Sequence, residues 1–584
     1  MILSPNDTER DKSASHLLKL ILLAPTLILS NSQSMRLVNT FNYELHEFLE
    51  SEIPRYAILS HTWGDEEASF QDMLSPRQAL GKGYEKIQQA CHLARQNGFA
   101  FLWVDTCCID KSSSAELSES INSMFQWYAN AAVCYAFIAD LPPDGLTEMI
   151  LPKCRWFTRG WTLQELLAPD VVEFYDSDWN KRGTKKQFAS VISGFTGIPI
   201  DILRGDALIS DSSVAARMSW AARRQTTRVE DMAYCLLGIF NLNMALLYGE
   251  GSKAFRRLQN EIIQTSNDLT IFAWDAPELV NAQFLSLFAT APRVFAESRS
   301  IIPLRNNLSN FTVTNKGLLL AGDIPLRVAV VRTEGSTTET LYGLKLGAFQ
   351  KAPYYNPHDR GIYLRKVGPR LFYRIGNYSL SDFGKNEIRK IGMFDASDKF
   401  ILIDPTTSSI ASMSSFRKHA LHVPRHPSFK LKKSFPGILW DHTDRVFLKL
   451  DPNGLTRYSM VIGMLFEGLL RETPVKVVVL CDYRRAIPIF KVFQLSQHPR
   501  EAAYIFQQSH SERTMSWEDL ELHATSIKGL SNRVDVKVGS EIFRFSMSSR
   551  VRNMESTFGN TKVVSLVFGV SRGDIDGYPI NLAC

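Results

Sequence analysis

The strongest constraint on this chain is a rhythm in its first two hundred residues, where four short apolar runs alternate with helix-patterned segments. The runs are "YAILS" (Tyr56–Ser60), "FAFLWVD" (Phe99–Asp105), "AVCYAFIAD" (Ala132–Asp140) and "VVEFYD" (Val171–Asp176). Each is a block of apolar residues bounded by polar ones, as in a buried strand. Between them, "KIQQACHLARQNG" (Lys86–Gly98) sets Ile87, Cys91 and Ala94 at helical spacing, with Gly98 as a stop. "ELSESINSMFQWYANA" (Glu116–Ala131) groups Ile121, Met124, Phe125 and Tyr128 on one helical face. Strands alternating with helices predict an α/β layer around a parallel sheet.

The pattern then changes twice. From Ser213 to Thr265 it is helical. "VEDMAYCLLGIF" (Val229–Phe240) reads as one helix stopped near Gly238. "SKAFRRLQNEIIQ" (Ser252–Gln264) reads as another, with Ser252 as its N-cap. After about Asp275 the segments are short, β-rich and turn-bounded, which predicts a β-sandwich-like domain from about Val294 onward. Inside it, the basic stretch "FRKHALHVPRHPSFKLKK" (Phe416–Lys433) reads as a solvated loop or as a contact for an anionic surface.

Composition narrows the function classes. With 584 residues, several domains are expected. A net charge of +6 spread over that length predicts no specific nucleic-acid partner. Eight scattered cysteines without a CxxC pair predict reduced thiols and a cytoplasmic setting. The apolar run Leu17–Leu29 contains Lys19 and Pro25, and it falls short of the roughly 20 residues a membrane span needs. No GxxxxGKS/T loop for nucleotide phosphates is present.

In a parallel α/β sheet, sites form at the carboxyl ends of the strands. Ser60, His61 and Trp63 follow the first run, Asp105, Cys108 and Asp110 the second, and Glu165 lies beyond the third. Four readings compete. His61, Asp105, Asp110 and Cys108 could ligate a metal, but none has ligand spacing, so no metal is expected. Cys107 or Cys108 could act as a nucleophile with His61, or simply pack. Glu165 could serve glycosidic chemistry on a nucleotide, with Trp161 at i, i+4 offering an aromatic face. Or there is no chemistry: "TLQE" (Thr162–Glu165) matches a capping box, in which Glu165 would reach back to the cap. A working site predicts that Glu165, Asp105 and His61 converge on one solvent-open cleft. In "RRQTTRVED", Arg223, Arg224, Arg228, Glu230 and Asp231 predict an ion-pair cluster clamping the helical segment.

Several of these stretches together resemble a known family. "YAILSHTWGDEE", "FLWVDTCCIDK", "MFQWYANAAVCYAFIADL" and "RGWTLQELLAP" resemble the HET domain, the heterokaryon incompatibility domain of filamentous fungi. "MRLVNTFNYELHEF" at Met35 resembles its usual start, and Arg217–Ile263 resembles the segment that commonly follows it. Lys111 departs from the pattern, where glutamine is common. HET domains are similar to TIR domains, some of which cleave NAD with a glutamate four residues after a tryptophan, as Glu165 follows Trp161. The resemblance implies a disordered extension over 1–34, a TIR-like HET domain over 35–200, a helical extension over 201–275 and a β-rich domain over 290–584. It implies a cytoplasmic cell-death effector in non-self recognition. Glu165 would be catalytic, and His61, Trp63, Asp105, Asp110 and Trp161 would hold NAD as substrate, with no cofactor. The alternative it leaves open is a non-enzymatic module that self-associates and recruits partners.

Overall fold

In the computed structural model, the four apolar runs become the parallel centre of a seven-stranded sheet. The structure describes residues 34–581 apart from 75–80, 145, 277, 279–281, 305–309, 323, 333–337, 350–357, 377, 379–382, 384–386, 395–397, 450–460, 483–487, 508–514, 557–558 and 574–579. The run Leu17–Leu29 and nearly all of the expected extension lie outside the described residues. No helix among the described residues is long and apolar enough to cross a membrane.

The chain forms two compact units. The first comprises the described residues of Met1–Phe195 with Pro199–Asp206 and Cys235–Leu246. The second comprises Thr196–Ile198, Ala207–Tyr234 and the described residues of Leu247–Cys584.

The sheet of the first unit holds β1 (Ser34–Asn39), β2 (Leu45–Leu49), β3 (Ala57–His61), β4 (Phe101–Val104), β5 (Val133–Phe137), β6 (Val172–Tyr175) and β7 (Lys181–Thr184), in the order β2-β1-β4-β3-β5-β6-β7. β4, β3, β5 and β6 are parallel, while β1, β2 and β7 complete the edges antiparallel. β3 is buried along its whole length, which explains its unbroken apolar run. The chain leaves β3 for β4 on one side and then crosses back to β5 on the other. Right-handed crossovers therefore place helix Lys82–Gln96 and helix Ser114–Asn130 on opposite faces. Trp103 of β4 packs on Trp127 and Tyr128 of the second helix, with ring centroids 5.6 and 5.7 Å apart. The crevice between the carboxyl ends of β3 and β5, where the winding reverses, is the usual place for a ligand in such sheets.

The helix ends follow local chemistry. Ser113 caps helix Ser114–Asn130 by accepting the Glu116 N–H at 3.3 Å. Gly98, at φ +80, lets the chain turn just past helix Lys82–Gln96. Helix Lys253–Thr265 forms as its spacing predicts, although Ser252 makes no side-chain cap bond. "VEDMAYCLLGIF" is not one helix: it breaks into Asp231–Tyr234 and Leu237–Phe240. Gly238 is no stop either. A Cβ there would lie 2.1 Å from Cβ of Phe125, so the glycine admits that side chain, and the helix ends at left-handed Asn241.

The acids of "RRQTTRVED" accept hydrogen bonds within the second unit, and the Arg228 charge also acts on Glu230. Glu230 accepts the N–H groups of Gly249 and Gly251 at 2.8 and 3.0 Å, and Asp231 accepts the Tyr248 hydroxyl at 2.9 Å. Arg228 lies over the Tyr248 ring.

The rest of the second unit is β-rich. Its described residues form a nine-stranded sheet between Ile301 and Ile401, then a four-stranded and a seven-stranded sheet. The last two face each other across a core that includes Phe466, Val477 and Val479 from one and Phe545, Met547 and Leu566 from the other, so the expected sandwich covers only this later part, and the strands from Ile301 to Ile401 form a sheet of their own.

Candidate functional site

β3 ends in Ser60 and His61, and period two sends these neighbours to opposite faces of the sheet. Each becomes the centre of its own cluster.

On the face of helix Ser114–Asn130, the Ser60 hydroxyl donates to Glu165 Oε2 and accepts the Trp156 indole N–H at 2.8 Å. Ser60, Trp156 and Glu165 are all buried, Glu165 with 6% exposure. Glu165 sits in the short helix Thr162–Leu167. The Thr162 hydroxyl closes the start of that helix by bonding the carbonyls of Trp156 and Arg159, the latter at 3.0 Å. Buried Lys185 reaches the carbonyls of Leu166 and Pro169 at its end. Thr162 thus donates backward to carbonyls, and one oxygen of the Glu165 carboxylate reaches across to β3. Trp161 stands partly exposed at the entry of this helix.

On the other face, His61 lies between two carboxylates, Nε2 at 3.5 Å from Glu67 and Nδ1 at 3.8 Å from Asp105. Both ring nitrogens are buried and make no hydrogen bond. Glu67 also takes the Lys86 ammonium and the Gly64 N–H, each at 2.6 Å. Burial pushes the Glu67 carboxyl up, but His61, Lys86 and Gly64 outweigh it and bring it to about 2. Asp105 accepts the Trp63 indole N–H at 2.8 Å. Lys111 lies 3.8 Å from the Trp63 ring centroid, and Arg155 donates to the Trp63 carbonyl at 3.0 Å. Trp63 is thus held on several sides while 41% exposed.

The two clusters are neighbours. Burial pushes the Tyr128 hydroxyl well up, and Glu165 and Asp105 both add to that push. Glu165, Asp105 and His61 therefore gather at one carboxyl edge but on two faces of β3, with Glu165 and His61 covered, so the single solvent-open cleft expected of a working site is not formed, because neighbouring residues of a strand point to opposite faces. Asp110 stands apart in a turn, accepting the Ser112 N–H and hydroxyl at 3.0 and 2.6 Å. Cys107 and Cys108 pack in the core. The Cys108 contact, with burial, pushes the Cys107 thiol well above its ordinary value, the reverse of what a thiolate nucleophile needs.

Trp156 and Glu67 are the members that spacing did not single out. A second tryptophan in "RWFTRGW" and a second glutamate in "GDEEASF" were the available signals, but neither has a local pattern pointing to its partner.

Residues 56–153 match the family model "Heterokaryon incompatibility protein (HET)", so the chain carries a HET domain there. The chain is 49% identical over 220 residues to the vegetative incompatibility protein HET-E-1 of Podospora anserina, an alignment covering 36% of this chain and 16% of that protein. It thus matches about a sixth of the length of that relative. No solved structure matches it significantly.

Proposed function

We propose that this chain, which carries a HET domain, is a cytoplasmic effector of heterokaryon incompatibility, and that the domain is TIR-like and cleaves NAD with Glu165. The likeness to a vegetative incompatibility protein supports the biological part. The observation that carries the chemical part is the Ser60–Glu165 bond, which places a carboxylate at the carboxyl end of β3, beside the reversal point of the sheet. Nicotinamide is a cationic leaving group in NAD, so cleavage needs no general acid. Glu165 would face the ribose and stabilise the positive charge that grows at its anomeric carbon. Water then attacks that carbon, giving ADP-ribose, nicotinamide and a proton. Trp161, partly exposed at the entry of the Glu165 helix, would flank a ring, and His61 and Asp105, on the opposite face of β3, would hold Trp63 at the strand end rather than touch the ribose.

A second reading has its own observation. Glu165 is buried and engaged with Ser60, as an internal strut would be. In that reading the domain self-associates and recruits partners without chemistry. Incubating the purified full chain with NAD and measuring free nicotinamide separates the two: release supports cleavage, and none under conditions where the chain kills cells supports assembly.

A further inference from the structure

Trp63 stands two residues past the end of β3, and the segments after β4 and β5 close on it. Its indole N–H donates to Asp105, beyond β4, at 2.8 Å. Its carbonyl accepts Arg155 Nη2, beyond β5, at 3.0 Å. The Lys111 ammonium lies 3.8 Å from the ring centroid and covers one face. All of these residues belong to the first unit. With its N–H taken and one face covered, the ring is still 41% exposed.

Holding a flat ring at one orientation in water costs side-chain entropy and leaves apolar surface wet. A ring that only braced the fold would be buried, as Trp103 and Trp156 are. A ring fixed while exposed has already met the ordering cost that a stacking ligand would otherwise have to meet. Its place is the carboxyl end of the parallel strands, where ligands bind in such sheets. Two cations stand beside it. Lys111 and Arg155 are both exposed, and Arg155 spends on the Trp63 carbonyl only part of a guanidinium that carries five N–H groups. The acids in contact are occupied, Asp105 by the indole and Asp140 by the Arg155 backbone N–H at 2.7 Å.

We propose that the exposed surface of Trp63 seats the adenine of the dinucleotide, with Lys111 and Arg155 against its phosphates. This rests on the NAD reading of the site, and it assigns the half of the substrate that the chemistry at Glu165 leaves free. Ser60 and His61 send their clusters to opposite faces of one strand end. A dinucleotide lying across that end puts its nicotinamide ribose toward Glu165 and its adenine over Trp63. A base offers a π-face to an aromatic ring, and a guanidinium and an ammonium suit phosphate oxygens.

The test titrates the full chain with adenosine and with ADP by calorimetry, and follows nicotinamide release against NAD concentration. Wild type should bind both, ADP more tightly. Trp63→Ala should weaken both about tenfold or more, and Trp63→Phe, which keeps a ring, should weaken them less. In release, Trp63→Ala should raise KM with kcat largely kept, since the adenine lies away from the bond that breaks. If Trp63→Ala does not fold, the exposed Lys111→Gln variant takes its place and should weaken ADP several-fold while leaving adenosine unchanged. ADP binding that depends on Trp63, without nicotinamide release, sinks cleavage and keeps this site. Release by Trp63→Ala at the wild-type KM sinks this site and keeps cleavage. No binding of ADP to wild type, or equal affinity in the folded variants, overturns the proposal.

Discussion

The Ser60 hydroxyl donates to the Glu165 carboxylate across 105 residues of chain, and the same hydroxyl receives the Trp156 indole N–H. One strand end thus ties the segment after β5 to the centre of the sheet. Ser60→Ala would leave a buried carboxylate and a buried indole N–H each short of a partner. It should cost about 1–3 kcal/mol, read by urea unfolding. An unchanged midpoint would show that the bond contributes nothing.

Trp156→Phe keeps an aromatic ring in a cluster with Phe157 and Phe174 but deletes the N–H. Its cost should come mainly from lost ring volume and one hydrogen bond, about 1–2 kcal/mol. Combining it with Ser60→Ala should be less than additive, because the two share one bond. Strict additivity in a double-mutant cycle would contradict the shared hydroxyl.

Gly238→Ala tests whether this glycine serves packing rather than helix termination. The new methyl would meet the Phe125 side chain at 2.1 Å, an overlap that should destabilise by about 1–3 kcal/mol. At a mere helix stop, alanine would be neutral or better.

These sites show what the sequence could and could not reveal. The parallel strands were legible because strands buried on both faces must be apolar throughout, as Ala57–His61 nearly is. The partner of Glu165 was not, since a carboxylate bonded to a distant strand leaves no local pattern. "TLQE" announced local bonds only, and nothing in it told that the Thr162 hydroxyl also bonds the Trp156 and Arg159 carbonyls. The basic stretch looked like a loop because Lys430, Lys432 and Lys433 are exposed. They lie on Phe429–Phe435, an edge strand of the four-stranded sheet, where lysines discourage pairing with another chain. The hairpin between Val461–Leu470 and Thr473–Asp482 turns on left-handed Arg471 and Glu472, and no glycine or asparagine announced it.

Glu67 makes stability depend on pH. Its carboxyl lies near 2 in the folded chain, against 4.5 ordinarily. A depressed carboxyl stabilises the fold above its unfolded value and loses that stabilisation as pH falls through the folded one. Glu67→Gln should therefore cost on the order of 2–3 kcal/mol at pH 7, with the difference from wild type shrinking between about pH 4.5 and 2. Parallel stability curves for the two proteins over that window would remove the proposed role of His61 and Lys86 as partners of Glu67.

The most direct measurement is nicotinamide release from NAD by the full chain and by its Glu165→Gln variant. Glutamine can still accept the Ser60 hydroxyl, so the variant should stay folded, with a modest stability loss of about 1 kcal/mol. It cannot stabilise a growing positive charge at the ribose as a carboxylate does. Wild type should release nicotinamide, and the folded variant should release essentially none. A folded Glu165→Gln chain that consumes NAD as fast as wild type, or a wild type that kills cells with NAD intact, would contradict NAD cleavage by Glu165.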